Sequence, residues 1–253
     1  MARFSNKVIV ITGAASGIGE GAARRFAEEG ATLVLGDIDK AALERLGGEL
    51  SGIVEVQETD VSDRAACEAL VQAAVDRFGR IDVLVNDAGV DHLGKVDEGD
   101  FSAFTKVIET DLYGVVHMSR AAIAHLRASK GCIINVSSVS GLGGDWNHSF
   151  YCAAKGAVSN FTRALAMDEA RNGVRVNAVN PSLTYTALIA GMKEQPELIA
   201  KFEERIPLGR GAEPADISGA IAFLASEDAH FVTGVNLPVD GGLTASNGQP
   251  PLS

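Results

Sequence analysis

Short runs of apolar, largely β-branched residues recur along the chain at 7–11, 32–36, 53–58, 83–85, 132–136, 175–179 and 234–238. Most are continuous rather than alternating, which is the pattern of parallel strands covered on both faces. Longer stretches of helical period lie between them, at 17–29, 40–50, 63–78, 101–128, 150–172 and 214–225. This alternation predicts a single α/β domain over residues 1–253, a doubly wound parallel sheet of about seven strands with helices on both faces. No Pro/Ser-rich linker, long charge run or solenoid repeat divides it. Residues 183–210, with Gly191 and Pro196, read either as a mobile lid or as an amphipathic surface helix pair. The tail 244–253, with Gly248, Pro250 and Pro251, is an arm or a frayed terminus.

Charge narrows the partners. The 22 Lys and Arg face 33 Asp and Glu, a net charge of −11, so a broad basic surface for nucleic acid or an anionic membrane is not expected. Cys67, Cys132 and Cys152 are widely spaced, with no CxxC pair, and give no support to a disulfide framework or a metal site. No apolar run reaches the ~18 residues of a membrane helix. The apolar run at 8–11 is too short for a secretory signal, so a cytoplasmic protein is expected.

The first strand runs into Thr12-Gly13-Ala14-Ala15-Ser16-Gly17-Ile18-Gly19. Glycines let a backbone turn tightly and approach a pyrophosphate, and the following helix N-terminus offers free N–H groups. The same pattern alone could be an ordinary turn. The second strand, however, ends at Asp37-Ile38, with Asp37 18 residues after Gly19, where an acid accepts hydrogen bonds from an adenosine ribose. Asp37 would repel a 2′-phosphate and so favours NAD over NADP; it also reads as a helix N-cap. Asp60-Val61, after the third strand, fits an adenine edge or, again, an N-cap. Asn86-Asp87-Ala88-Gly89, after the fourth, fits a backbone lying against the cofactor, or a plain turn.

Tyr151 and Lys155 stand four residues apart in a helical stretch, one turn apart on one face. A neighbouring ammonium favours the phenolate and suits the tyrosine to proton transfer. A surface pair with no chemistry has the same spacing. Ser138, 13 residues before Tyr151, follows a strand end, where parallel sheets place ligands, and could polarise a carbonyl.

Taken together, Thr12-Gly13-x3-Gly17-x-Gly19, Asn86-x-Ala88-Gly89, Ser138, Tyr151-x3-Lys155, Asn180-Pro181 and Pro238-Val239-Asp240-Gly241-Gly242 resemble the short-chain dehydrogenase/reductase family over nearly the whole chain. The resemblance implies a Rossmann-like fold and NAD as cofactor. It implies that Ser138 orients the substrate, Tyr151 exchanges the proton, and Lys155 lowers the Tyr pKa and holds the nicotinamide ribose. Pro181, Leu183 and Thr186 fall at the nicotinamide, and no metal takes part. The chain departs from the family at Asp87, usually Asn, at Ser182, usually Gly, and at Asp111, usually the Asn of a proton relay. Asp111 would either pair with Lys155 and weaken its hold on Tyr151 or serve in the relay itself.

The segment from Ser137 to Trp146 and the tail from Thr244 resemble a bacterial subgroup that interconverts meso-2,3-butanediol with acetoin. A small vicinal diol or hydroxyketone is therefore the expected substrate. Ser140, Trp146 and His148 lie between Ser138 and Tyr151 and are expected to line its pocket. Trp146 reads as an apolar wall or a packed loop anchor, and His148 as a pocket residue or a surface loop residue. Family members are commonly tetrameric, so Gln249 on the tail is expected to close a neighbouring subunit's site in a homotetramer. Two other function classes compete. One is a reductase of another ketone, such as a 3-oxoacyl thioester, sugar, steroid or cyclic ketone. The other is a catalytically silent binding protein.

Overall fold

The computed structural model describes residues 2–98, 100–192 and 194–249. Seven strands form one parallel sheet: β1 (Val8–Thr12), β2 (Thr32–Asp37), β3 (Val54–Glu58), β4 (Val83–Asn86), β5 (Cys132–Val136), β6 (Arg175–Pro181) and β7 (Asn236–Val239). Their order is β3-β2-β1-β4-β5-β6-β7. The chain winds outward from β1 in one direction and then from β4 in the other, so a crevice opens between their carboxyl ends.

The continuous apolar runs follow from burial on both faces. Ile9 and Ile11 point to one side with Leu33, Leu35 and Phe26. Val8 and Val10 point to the other with Leu70, Leu84 and Met118. The first side is covered by α1 (Gly17–Glu28), α2 (Lys40–Glu49) and α8 (Pro214–Ala225), and the second by α3 (Arg64–Phe78), α5 (Gly114–Ser129) and α6 (Ser149–Glu169). Alternate residues of one strand thus enter different cores, and neither can be polar without leaving a buried group unpaired.

The helix expected over 101–128 is not continuous. α4 (Phe101–Val107) gives way to π-helical residues Ile108–Tyr113 before α5 begins. Gly114 sits where a Cβ would lie 2.6 Å from Val61 Cγ2, so α5 can approach β3's exit loop only with glycine there. The wider turn includes Asp111, which is fully buried. The expected strand at 234–238 starts later, at Asn236. Residues 187–192 form 3-10 turns, and α7 (Pro196–Arg205) follows with no buried residue. Among the described residues, no helix is long and apolar enough to cross a membrane.

Candidate active site

A cleft of 1760 Å³ opens at the carboxyl ends of the strands, lined by loops after β1, β2, β3, β4, β5 and β6 and by the segment around α7. Its cofactor side is built on the β1–α1 turn. A Cβ on Gly19 would lie 2.2 Å from Gly13 O, and Gly13 itself adopts φ +67°, so both positions exclude other residues. Ser16 N-caps α1 without a side-chain hydrogen bond, which leaves the helix N-terminus for a ligand to satisfy. Asp37 ties this turn to β2. Its Oδ2 accepts from Ala15 N–H and its Oδ1 from Asp39 N–H, both at 2.9 Å, and each oxygen keeps a lone pair for a ribose hydroxyl. The turn, the open helix end and the acid fit a dinucleotide.

The capping alternatives for two acids are corrected. Asp39, not Asp37, caps α2 by accepting from Ala42 N–H at 3.0 Å. Asp63 caps α3, while Asp60 accepts from Ser62 N–H and Oγ–H at 2.9 and 2.7 Å in the preceding turn. Gly13, Ser16, Gly17, Ile18, Asp37, Ile38, Asp60, Val61, Ala88, Gly89, Pro181, Leu183 and Thr186 all line the cleft. Asn86 and Gly19 do not. Asn86 points into the sheet, donating to Asn135 Oδ1 at 2.9 Å, because β4 is flanked on both sides and its last side chain falls on a buried face. Gly19 serves close packing instead.

The chemical side is held by a polar network under β5 and α6. Lys155 Nζ donates to Val136 O at 3.1 Å and lies 3.0 Å from Asp111 Oδ2. Ser137 Oγ donates to Lys155 O at 3.0 Å, and Asn180 Nδ2 donates to Ser138 O at 2.8 Å. Lys155 is 5% exposed, so the surface-pair alternative fails. Ser138, Ser140, Tyr151 and Lys155 share the cleft with Asp111.

Electrostatics here are set by burial and charge together. Burial pushes the Tyr151 phenol up, Lys155 pulls it down, and Asp111 and Asp91 add to the rise; the net direction is upward. For Lys155, burial opposes the charge, but Asp111, Tyr151 and Asp87 outweigh it and hold the ammonium above its ordinary value. Asp111 is raised by burial, against Lys155 and the Val90 N–H that donates to its Oδ1 at 2.8 Å. Burial also pushes Asp87 up to about 7, against Lys155 and the Gly19 N–H, with Asp37 and Asp111 reinforcing the rise.

Trp146 is 90% exposed at the cleft mouth, so the packed-anchor alternative is corrected; the neighbouring Gly143 and Gly144 also have open space around them. His148 is no free surface residue; it is half-buried and faces Asp91. Gln249 does not line its own subunit's cleft, and of the tail 244–253, residues 250–253 lie outside the described residues. Sequence reasoning missed Asp91, Asp145 and the supporting Ser137 and Asn180 side chains. Asn180-Pro181 was visible as a motif, but nothing local marks Asp91, whose contact crosses between loops.

A family model described as enoyl-(acyl carrier protein) reductase matches residues 13–244. The meso-2,3-butanediol dehydrogenase of Serratia marcescens is 50% identical over 251 residues, covering 99% of each chain. The crystal structure of levodione reductase superposes with a TM-score of 0.93 at 34% identity, covering 96% of this chain and 100% of that one. The 3-ketoacyl-(acyl-carrier-protein) reductase from Brucella melitensis, complexed with NADH, gives 0.88 at 38% identity, covering 95% and 99%.

Proposed function

The chain belongs to the short-chain dehydrogenase/reductase family of oxidoreductases, and we propose that it is an NAD(H)-dependent enzyme interconverting a small vicinal diol and its hydroxyketone, of the 2,3-butanediol/acetoin type. The observation that carries this is the convergence of Ser138, Tyr151 and a buried Lys155 beside a phosphate-type turn and Asp37 in one cleft. The 50% identity to the butanediol dehydrogenase supports the substrate class.

When bound, the nicotinamide accepts hydride in oxidation and donates it in reduction. Gly13, Gly17 and the α1 N-terminus would hold its pyrophosphate, Asp37 the adenosine ribose and Lys155 the nicotinamide ribose. Ser138 Oγ holds the substrate oxygen. Tyr151 takes the hydroxyl proton in oxidation and returns it in reduction. Lys155 keeps positive charge beside that phenol, and Asp111 passes protons onward from the ammonium. The 183–210 region acts as the lid: among its described residues Leu188, Met192 and Phe202 line the cleft, and α7 has no buried residue. A homotetramer in which Gln249 reaches a neighbour's cleft, and cytoplasmic residence with free Cys67, Cys132 and Cys152, complete the proposal.

The test is NADH formation by the purified protein with meso-2,3-butanediol, run beside NADP and a panel of bulky secondary alcohols. Strong NAD-linked oxidation of the small diol is expected. Turnover of bulky alcohols alone would discard the substrate class, and silence throughout would discard the enzyme reading. Deleting residues 248–253 should raise KM for the diol, with assembly followed by light scattering.

A further inference from the structure

One wall of the pocket beside Tyr151 is made by two loops distant in sequence. His148 precedes α6, and its ring centroid lies 5.9 Å from that of Tyr151. Its Nε2 lies 3.3 Å from Asp91 Oδ2, and its Nδ1 lies 3.7 Å from Asp145 Oδ2. Ser140 Oγ donates to the same Asp145 oxygen at 3.2 Å, and Trp146 N–H donates to Asp145 Oδ1 at 2.8 Å. Gly94 N–H donates to Asn147 O at 2.7 Å and closes the joint. The cleft that contains Ser138 and Tyr151 is lined by these same side chains.

The two imidazole contacts differ in kind. The Asp91 contact orients the ring, while 3.7 Å to Asp145 is too long for a hydrogen bond. A hydroxyl oxygen reaching in from the cleft can bridge the two groups from one side, about 2.8 Å from each, accepting from the ring N–H and donating to the carboxylate. The hydrogen bond to Asp91, opposed by burial and helped by the charge of Asp145, raises the His148 pKa and favours the donor form.

We propose that His148 and Asp145 together hold the second oxygen of the substrate, the one on the carbon next to the reacting carbinol, and so select substrates with vicinal oxygens. This rests on the small-diol reading above. A hydroxyl satisfies both partners. A carbonyl accepts from His148 and leaves Asp145 facing a lone pair, so the site favours hydroxyketones over diketones. A site built around a polar pair rejects an analogue lacking the matching group because its own groups are left unpaired.

The experiment compares kcat/KM for two matched pairs, meso-2,3-butanediol with 2-butanol and cis-1,2-cyclohexanediol with cyclohexanol. It uses wild type, His148→Leu and Asp145→Ala. The expected wild-type preference for the diol is on the order of 10-fold or more, and each variant should lose most of it. Thermal melting and NADH binding report whether each variant is folded; Asp145 is on an exposed loop, so its variant carries the test if His148→Leu unfolds. If wild type prefers the diol and folded variants keep the ratio, or lose both members of a pair equally, the assignment to His148 and Asp145 is wrong while the diol reading stands. If wild type shows no diol preference in either pair, both fall.

Discussion

Asp111 Oδ2 lies 3.0 Å from Lys155 Nζ, and both side chains are buried. The carboxylate secures the positive charge of the lysine, yet the same negative charge raises the Tyr151 phenol that the lysine lowers. The proton chemistry of Tyr151 is therefore a balance between two opposed neighbours one step behind it.

Asp111→Asn removes one arm of that balance. The Tyr151 pKa should fall, and the rising limb of the pH–rate profile for alcohol oxidation should move to lower pH by about one unit. The sign follows from oxidation needing the phenolate. Asp111→Ala with unchanged turnover and an unchanged profile would remove Asp111 from the relay.

Lys155→Ala leaves the Asp111 carboxylate buried without its cation. Loss of stability of about 3–5 kcal/mol is expected, together with loss of turnover. Adding Asp111→Asn should recover much of the stability but none of the activity. Urea unfolding of the two variants checks the first statement, and additive destabilisation would refute it.

Asp37→Ser should lower NAD preference over NADP on the order of 10- to 100-fold. Total NAD affinity should also fall, because Asp37 accepts from the Ala15 N–H and so holds the β1–α1 turn in place. Kd values for both cofactors by fluorescence titration decide this.

Asp87 sits beside the β1–α1 turn with its carboxyl pushed up to about 7. Asp87 packs against Gly19 in that turn, so on the proposed dinucleotide reading its ionisation adds negative charge beside the pyrophosphate. NADH affinity should therefore weaken as pH rises through about 7. Asp87→Asn should flatten the dependence, and equal slopes in both proteins would show that another group titrates.

Gly141→Ala tests the seat of the catalytic helix. A Cβ there would lie 2.5 Å from Lys155 O, so α6 must shift. Destabilisation of about 1–3 kcal/mol is expected, with a larger fractional loss in kcat than in NADH affinity. An unchanged kcat would mean the shift bypasses Lys155.

Most strand positions, the glycine turn after β1 and the Tyr151–Lys155 spacing were legible because each is local. A strand buried on both faces is apolar throughout, a tight turn with positive φ or close backbone approach takes glycine, and two groups four apart share one helical face. Asn86 was misplaced because its motif says nothing about which face of β4 the side chain takes. The break within 101–128 was missed because a single π-helical turn is too short to stand out in the periodicity of a long helical stretch, and the partners of its buried Asp111, Val90 and Lys155, lie in other elements.

By itself the chain determined its α/β class and most of its strand positions, since backbone hydrogen bonding and burial act through near neighbours. Tertiary structure alone decided that Asp111 is buried against Lys155, that Asp91 reaches His148 across 57 residues, and that Trp146 stands open at the cleft mouth. Those relationships depend on how separate loops and helices meet at the carboxyl ends of the strands. Charge and desolvation act through distance in space, which spacing along the chain does not record.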